Sequence, residues 1–133
     1  MLEKILVVDD NYENRELIVE ILREHARCDV ASSGKEAIDA YNTSLHDKPY
    51  DLILLDIEMP EINGLELLRK IRQSEEAADI PLGEGVAIIM VTAHKKPFLD
   101  AFYQGCNDYF IKPIDPVKLI QKIEKKLGKS TKE

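Results

Sequence analysis

Tryptophan is missing from this sequence, and cysteine nearly so. The two cysteines, Cys28 and Cys106, stand far apart in apolar surroundings, which excludes a disulfide scaffold and a thiolate metal site and reads as small buried thiols. No apolar run approaches the length needed to cross a bilayer, and the N-terminus lacks a signal-peptide pattern, so membrane insertion is not expected and a cytoplasmic location is. Positive charge is also scarce: 18 Lys and Arg stand against 25 Asp and Glu, a net charge of −7. A chain gripping nucleic acid by itself needs clustered cations on phosphate, and that function is set aside. Internal repeats and domain boundaries are absent too. A chain of 133 residues is most simply one domain, able to bury roughly two-thirds of its unfolded surface without cross-links.

What is there is an alternation of short apolar runs with amphipathic stretches. Ile5 to Val8 is an apolar run ending on Asp9 and Asp10, and Asn11 suits the N-cap of a helix over about 12–24 with Leu17, Ile18, Ile21 and Leu22 on one face. Arg27 to Val30 alternates polar with apolar, as an edge strand does. Ser33 and Glu36 form a capping box for a helix carrying Ala37, Ala40 and Tyr41. Leu52 to Leu55 is apolar throughout and stops on a carboxylate, Asp56. Gly64, Leu67, Leu68 and Ile71 then repeat at helical spacing. Residues 73–85, with Pro81, Gly83 and Gly85, read as a long polar loop suited to a mobile or partner-specific insertion. Val86 to Val91 is apolar and ends at Thr92. A helix is expected from near Pro97 to Gly105. Tyr109 to Ile111 is a last short strand, followed by Lys112 and Pro113. Asp115 and Pro116 open a final helix with Leu119, Ile120, Ile123 and Leu127 inward and Lys122, Lys125 and Lys126 toward the negative end of its dipole. Residues 129–133 are expected to be a frayed tail behind a domain spanning 1–128.

Strand–helix alternation repeated through the chain predicts an α/β fold with a parallel sheet, right-handed crossovers and helices on both faces. Sites in such sheets lie at the carboxyl ends of the strands. Asp9, Asp10, Asp56, Thr92 and Lys112 all fall at strand ends and are expected to share one rim. Three carboxylates held together repel one another unless a cation sits among them, and Mg²⁺ is the natural occupant, with Mn²⁺ able to stand in. A carboxylate beside such a cation can act as a nucleophile and form an acyl phosphate. Lys112 would offer a fixed positive charge to phosphoryl oxygens and Thr92 a hydrogen bond. Singly, each residue has a plainer role: Asp9 or Asp10 could cap a helix, Thr92 could be satisfied by backbone, Lys112 could be exposed. Their joint placement at four strand ends favours phosphoryl transfer.

These residues, together with Met59, Pro60, Gly64, Ala93, Asp108, Tyr109 and Pro113, resemble the response-regulator receiver domain of two-component signalling, over nearly the whole chain. The resemblance implies a flavodoxin-like, doubly wound (βα)5 three-layer sandwich with strand order 2-1-3-4-5. It implies that Asp56 is the phosphoacceptor, served by a sensor histidine kinase or histidine phosphotransfer protein. Mg²⁺ would be held by Asp10, Asp56 and the backbone carbonyl of Glu58, with Asp9 helping through water. Thr92 and Lys112 would contact the phosphoryl group, and the Lys112–Pro113 peptide would be cis. Thr92 and Tyr109 would be the switch residues, altering a face built from the helix expected over 97–105, the last strand and the C-terminal helix, for an unnamed downstream protein. Glu58 and His94 flank the phosphoryl position and would tune its lifetime, although a solvated loop histidine is the simpler reading of His94. Phe98, Phe102 and Tyr103 lie on or near the partner face.

On this reading the chain is no enzyme beyond catalysing its own phosphoryl uptake and loss. It is expected to be a free-standing regulator, monomeric or dimerising on phosphorylation. The alternatives are a receiver excised from a multidomain regulator or hybrid kinase, and a haloacid-dehalogenase-like phosphatase. The last would want a second acid two residues beyond the nucleophile, followed by Thr or Val, and a cap domain. Asp56, Ile57, Glu58 and Met59 in a short chain match that poorly. A flavodoxin would place Ser, Thr and Gly after the first strand, where this chain has acids.

Overall fold

The computed structural model describes residues 2–81, 83–93 and 105–128. Five strands, β1 (Leu2–Val8), β2 (Ala26–Ala31), β3 (Leu52–Asp56), β4 (Ala87–Thr92) and β5 (Asp108–Ile111), pair in parallel in the order β2-β1-β3-β4-β5. The described helices are α1 (Tyr12–Leu22), α2 (Gly34–Ser44), α3 (Gly64–Ala77) and α4 (Pro116–Leu127). This is the flavodoxin-like order that the resemblance implied. The helix expected over 97–105, with Phe98, Phe102 and Tyr103, and the tail at 129–133 fall outside the described residues, apart from Gly105 at the helix end.

Strand alternation divides the apolar residues between two cores. Leu6, Val8, Ile53, Leu55, Ile88 and Met90 face one side with α2 and α3, while Ile5, Val7, Leu52, Leu54, Ile89 and Val91 face the other with α1 and α4. That is why β3 is apolar at every position: both its faces are covered, and all five of its residues are buried. Truncating one of these, such as Leu54, costs about 2–5 kcal/mol. β2, at the sheet edge, is correspondingly wetter.

Helix starts follow their caps. Asn11, Ser33, Asn63 and Asp115 each accept from a backbone N–H three residues on. The capping box at α2 is offset, however. Glu36 reaches back to the backbone and hydroxyl of Ser32 at 2.8 Å, not to Ser33. The face of α1 is narrower than its sequence suggests: Ile18 and Leu22 are buried, but Leu17 is 47% exposed because one helical step turns it away from the sheet.

The larger departure is at 73–85, where the sequence suggested a loop. Helix α3 runs on to Ala77, and Glu75 within that extension is buried. Its carboxylate accepts the Tyr41 hydroxyl at 3.0 Å, the Arg72 guanidinium at 2.8 Å and the Val86 N–H at 2.7 Å. Arg72 in turn donates to the carbonyls of Val86 and Gly105 and to the side chain of Asn107. A buried charge satisfied this fully fixes the last helical turn. The lysines of α4 also have work besides the helix dipole: Lys122 and Lys126 pair with Asp108 at 3.2 and 3.4 Å.

Candidate functional site

Strand register brings the rim together. Val8 lies opposite Leu55, Asp56 opposite Val91 and Thr92 opposite Ile111, so the residues ending β1, β3, β4 and β5 emerge at one level. The turn after β3 is held by backbone bonds from Ile57 to Val91 and from Gly64 to Ile57. Gly64 is required there: a Cβ would sit 2.3 Å from the Asp56 carbonyl oxygen and 2.6 Å from the Ile57 Cα, both backbone atoms. The glycine lets α3 start directly against the strand that carries Asp56.

Asp9 and Asp56 are buried and Asp10 is exposed, and the three offer carboxylate oxygens within 4.8 Å of one another. Lys112 places its Nζ 3.4 Å from Asp56 Oδ1 and 3.7 Å from Asp9 Oδ2. The Lys112–Pro113 peptide is cis. Asp9 is further fixed by the Asn11 N–H on its Oδ1 at 2.9 Å and by Arg15, which donates to its backbone carbonyl at 2.8 Å. Asp9 Oδ2 accepts no hydrogen bond. Burial, with the neighbouring Asp9 carboxylate adding to it, pushes the Asp56 carboxyl up to about 7 against the pull of Lys112. Asp9 and Asp56 share Lys112 with the exposed Asp10 carboxylate beside them, one Asp9 oxygen is buried without a donor, and Asp56 resists ionisation. That donor set fits a hard dication such as Mg²⁺, which favours a few carboxylates and retains water.

Thr92 is fully buried, and its hydroxyl donates to Glu58 Oε1 at 2.7 Å. The Glu58 N–H meets Asp56 Oδ1 at 3.3 Å. Burial raises the Glu58 carboxyl, but bonds from the Thr92 hydroxyl and its other donors outweigh that and hold it below the ordinary range. Sequence reasoning placed Glu58 and Thr92 at the site but missed that they bond to each other. Spacing along the chain carries no trace of a contact across 34 residues. Arg15 was likewise missed, since an arginine on an exposed helix turn looks like any other.

Tyr109 is half-buried on β5 with Lys122 Nζ 5.7 Å from its ring centre. Beside it, β5 and α4 frame an open groove of about 460 Å³ bordered by Lys118, Lys122 and Lys125. His94 lies outside the described residues. The thiol of Cys106 is buried, and that of Cys28 is partly so; burial pushes both up to about 11, as inert thiols.

A doubly wound parallel sheet with a carboxylate cluster, a lysine and a buried hydroxyl on its carboxyl rim defines a flavodoxin-like α/β protein with an acidic, cation-ready site. Residues 5–124 match the response regulator receiver domain, and the chain belongs to that family, whose members are phosphorylation switches of two-component signalling. It is 40% identical over 134 residues to a hybrid signal transduction histidine kinase of Dictyostelium discoideum, covering 98% of this chain but 8% of that protein. The chain thus spans only a small part of these hybrid kinases. It is 33% identical over 132 residues to a chemotaxis protein CheY homolog of Campylobacter jejuni, covering 98% of this chain and 96% of the relative. Among solved structures, a response regulator of Thermotoga maritima in complex with Mg(2+)-BeF superposes with a TM-score of 0.75 at 33% identity, covering 94% of this chain and 99% of that one. A receiver domain from Clostridium thermocellum gives 0.80 at 25% identity, over 96% and 95% of the two chains. No described helix is long and apolar enough to cross a membrane.

Proposed function

We propose that Asp56 is the phosphoacceptor of this switch, loaded by a phosphohistidine on a sensor kinase or phosphotransfer protein. The observation that carries the reading is the convergence of Asp9, Asp10, Asp56 and Lys112 on one rim. A carboxylate oxygen of Asp56 attacks phosphorus. The new O–P bond forms as the P–N bond to the donor imidazole breaks, and the electron pair leaves on that nitrogen, which is protonated. Lys112, already between Asp9 and Asp56, then faces the phosphoryl oxygens with a positive charge. Asp10, Asp56 and the Glu58 carbonyl would hold Mg²⁺, or Mn²⁺, with Asp9 acting through water. When bound, the metal neutralises charge on the carboxylates and the transferring group. The Mg(2+)-BeF complex of the Thermotoga maritima relative supports this assignment.

The Thr92 hydroxyl turns to the phosphoryl group and Tyr109 repacks with it, shifting the population toward a second packing. The groove beside Tyr109 is the described part of the face a downstream protein would read. Turnover beyond uptake and loss of one phosphate is not expected, and a cytoplasmic setting suits the chemistry. The match to nearly the whole of a CheY homolog favours a free-standing regulator, and the match to 8% of a hybrid kinase is compatible with a receiver within a longer protein. Intact-mass measurement after incubation with Mg²⁺ and a small phosphodonor tests it: one added phosphate on the native chain, none on Asp56→Asn. An unmodified native chain would overturn the assignment.

A further inference from the structure

We infer that Glu58 is a latch on the switch: in the unphosphorylated chain its carboxylate occupies the Thr92 hydroxyl that a phosphoryl group on Asp56 must recruit. The inference deepens the switch reading and rests on it. Thr92 is fully buried and its hydroxyl proton points to Glu58 Oε1 at 2.7 Å. A hydroxyl has one proton to donate, so Glu58 and a phosphoryl oxygen compete for it. The competitor is strong, because a bond to an ionised acceptor is shorter and roughly twice as strong as a neutral one. It is also tied to the event it opposes: Glu58 is two residues from Asp56, and its own N–H contacts Asp56 Oδ1. Glu58 is exposed, so its carboxylate, once released from Thr92, has water to turn to. The latch therefore opens outward and biases the resting equilibrium toward the inactive packing without blocking it.

A latch and a simple repulsive charge make different predictions. Repulsion between Glu58 and an incoming anion acts whether or not Thr92 has a hydroxyl; the latch acts only through it. The test is the affinity for beryllofluoride, a phosphoryl mimic, in saturating Mg²⁺, for the native chain, Glu58→Ala, Thr92→Val and the double variant. Thr92→Val keeps the shape of the buried side chain, and circular dichroism checks that each variant is folded. Glu58→Ala is expected to tighten binding by about fivefold in the native background, the scale of one charge-assisted bond at a half-wet position. In the Thr92→Val background that gain should vanish. Glu58→Gln, which keeps an acceptor but loses the charge, should give a smaller gain than Glu58→Ala. Equal gains with and without the hydroxyl, equal gains for Ala and Gln, or no gain at all would each overturn the latch while leaving the switch intact. A native chain that binds no beryllofluoride would instead overturn the switch reading and the latch with it.

Discussion

Replacing Asp56 by asparagine should make the metal-free chain more stable at neutral pH, although it removes the residue the site is built around. In the unfolded chain this carboxyl ionises near 3.8, and in the folded chain it is pushed up to about 7 by burial and by Asp9. The native state therefore binds the proton more tightly, and stability falls as pH rises from about 4 to about 7. At ~1.4 kcal/mol per pH unit, a displacement of this size sets a ceiling of ~4 kcal/mol on the destabilisation at pH 8. The substitution recovers only part. Its amide keeps an acceptor for the Glu58 N–H and can offer a donor toward Asp9 Oδ2, which otherwise accepts no hydrogen bond, but it forfeits the ion pair with Lys112. A net gain of about 1–3 kcal/mol at pH 8 is expected, shrinking toward zero near pH 4, where the native acid is protonated. Urea denaturation in a metal chelator at the two pH values measures it. Millimolar Mg²⁺ should then raise the stability of the native chain and leave the variant almost unchanged. A variant less stable than the native chain at pH 8, or a gain independent of pH, would refute the argument that Asp56 is held under electrostatic stress.

Mg²⁺ affinity should rise with pH up to about 7 and then level, because binding requires the ionised form of Asp56; titration calorimetry with proton release checks this. Gly64→Ala forces a Cβ onto the backbone of Asp56 and Ile57, and should cost more than about 2 kcal/mol in urea denaturation and slow phosphoryl uptake. Glu75→Ala strands the Tyr41 hydroxyl and Val86 N–H and leaves Arg72 without its carboxylate, a loss of about 2–4 kcal/mol with the rim chemistry preserved. Lys112→Met should abolish most phosphoryl uptake from a small donor in the intact-mass assay while the chain stays folded.

Most of the fold is legible in residue patterns. The apolar run at Leu52 to Leu55 reads as a strand covered on both faces, and β3 is buried throughout; the mixed run at Arg27 to Val30 reads as an edge strand, which β2 is, although Val30 is 51% exposed. Rim residues were legible for the related reason that a charge directly after a buried strand is costly unless something pairs with it. The end of α3 was not. Gln73, Glu75, Glu76 and Ala77 are good helix formers, but their polarity, the Ser74 among them, and the following Pro81 and Gly83 resemble a loop, and only the tertiary partners of Glu75 decide between the two. Leu17 misled in the opposite direction, since an apolar residue beside Ile18 gives no sign that it faces water. The Thr92–Glu58 bond joins residues from two strand ends, and such pairs appear only once the chain is folded.

Arg72 has a consequence of a different kind. One guanidinium joins the carbonyl of Val86, at the entry to β4, to the carbonyl of Gly105 and the side chain of Asn107, at the entry to β5. Asn107 continues the clamp by accepting the Ile88 N–H at 2.7 Å. The two neighbouring strands are therefore tied together at the end of the sheet remote from the carboxylate rim. The β4–β5 pair thus has one end held fast, about which a rearrangement at the opposite rim can pivot.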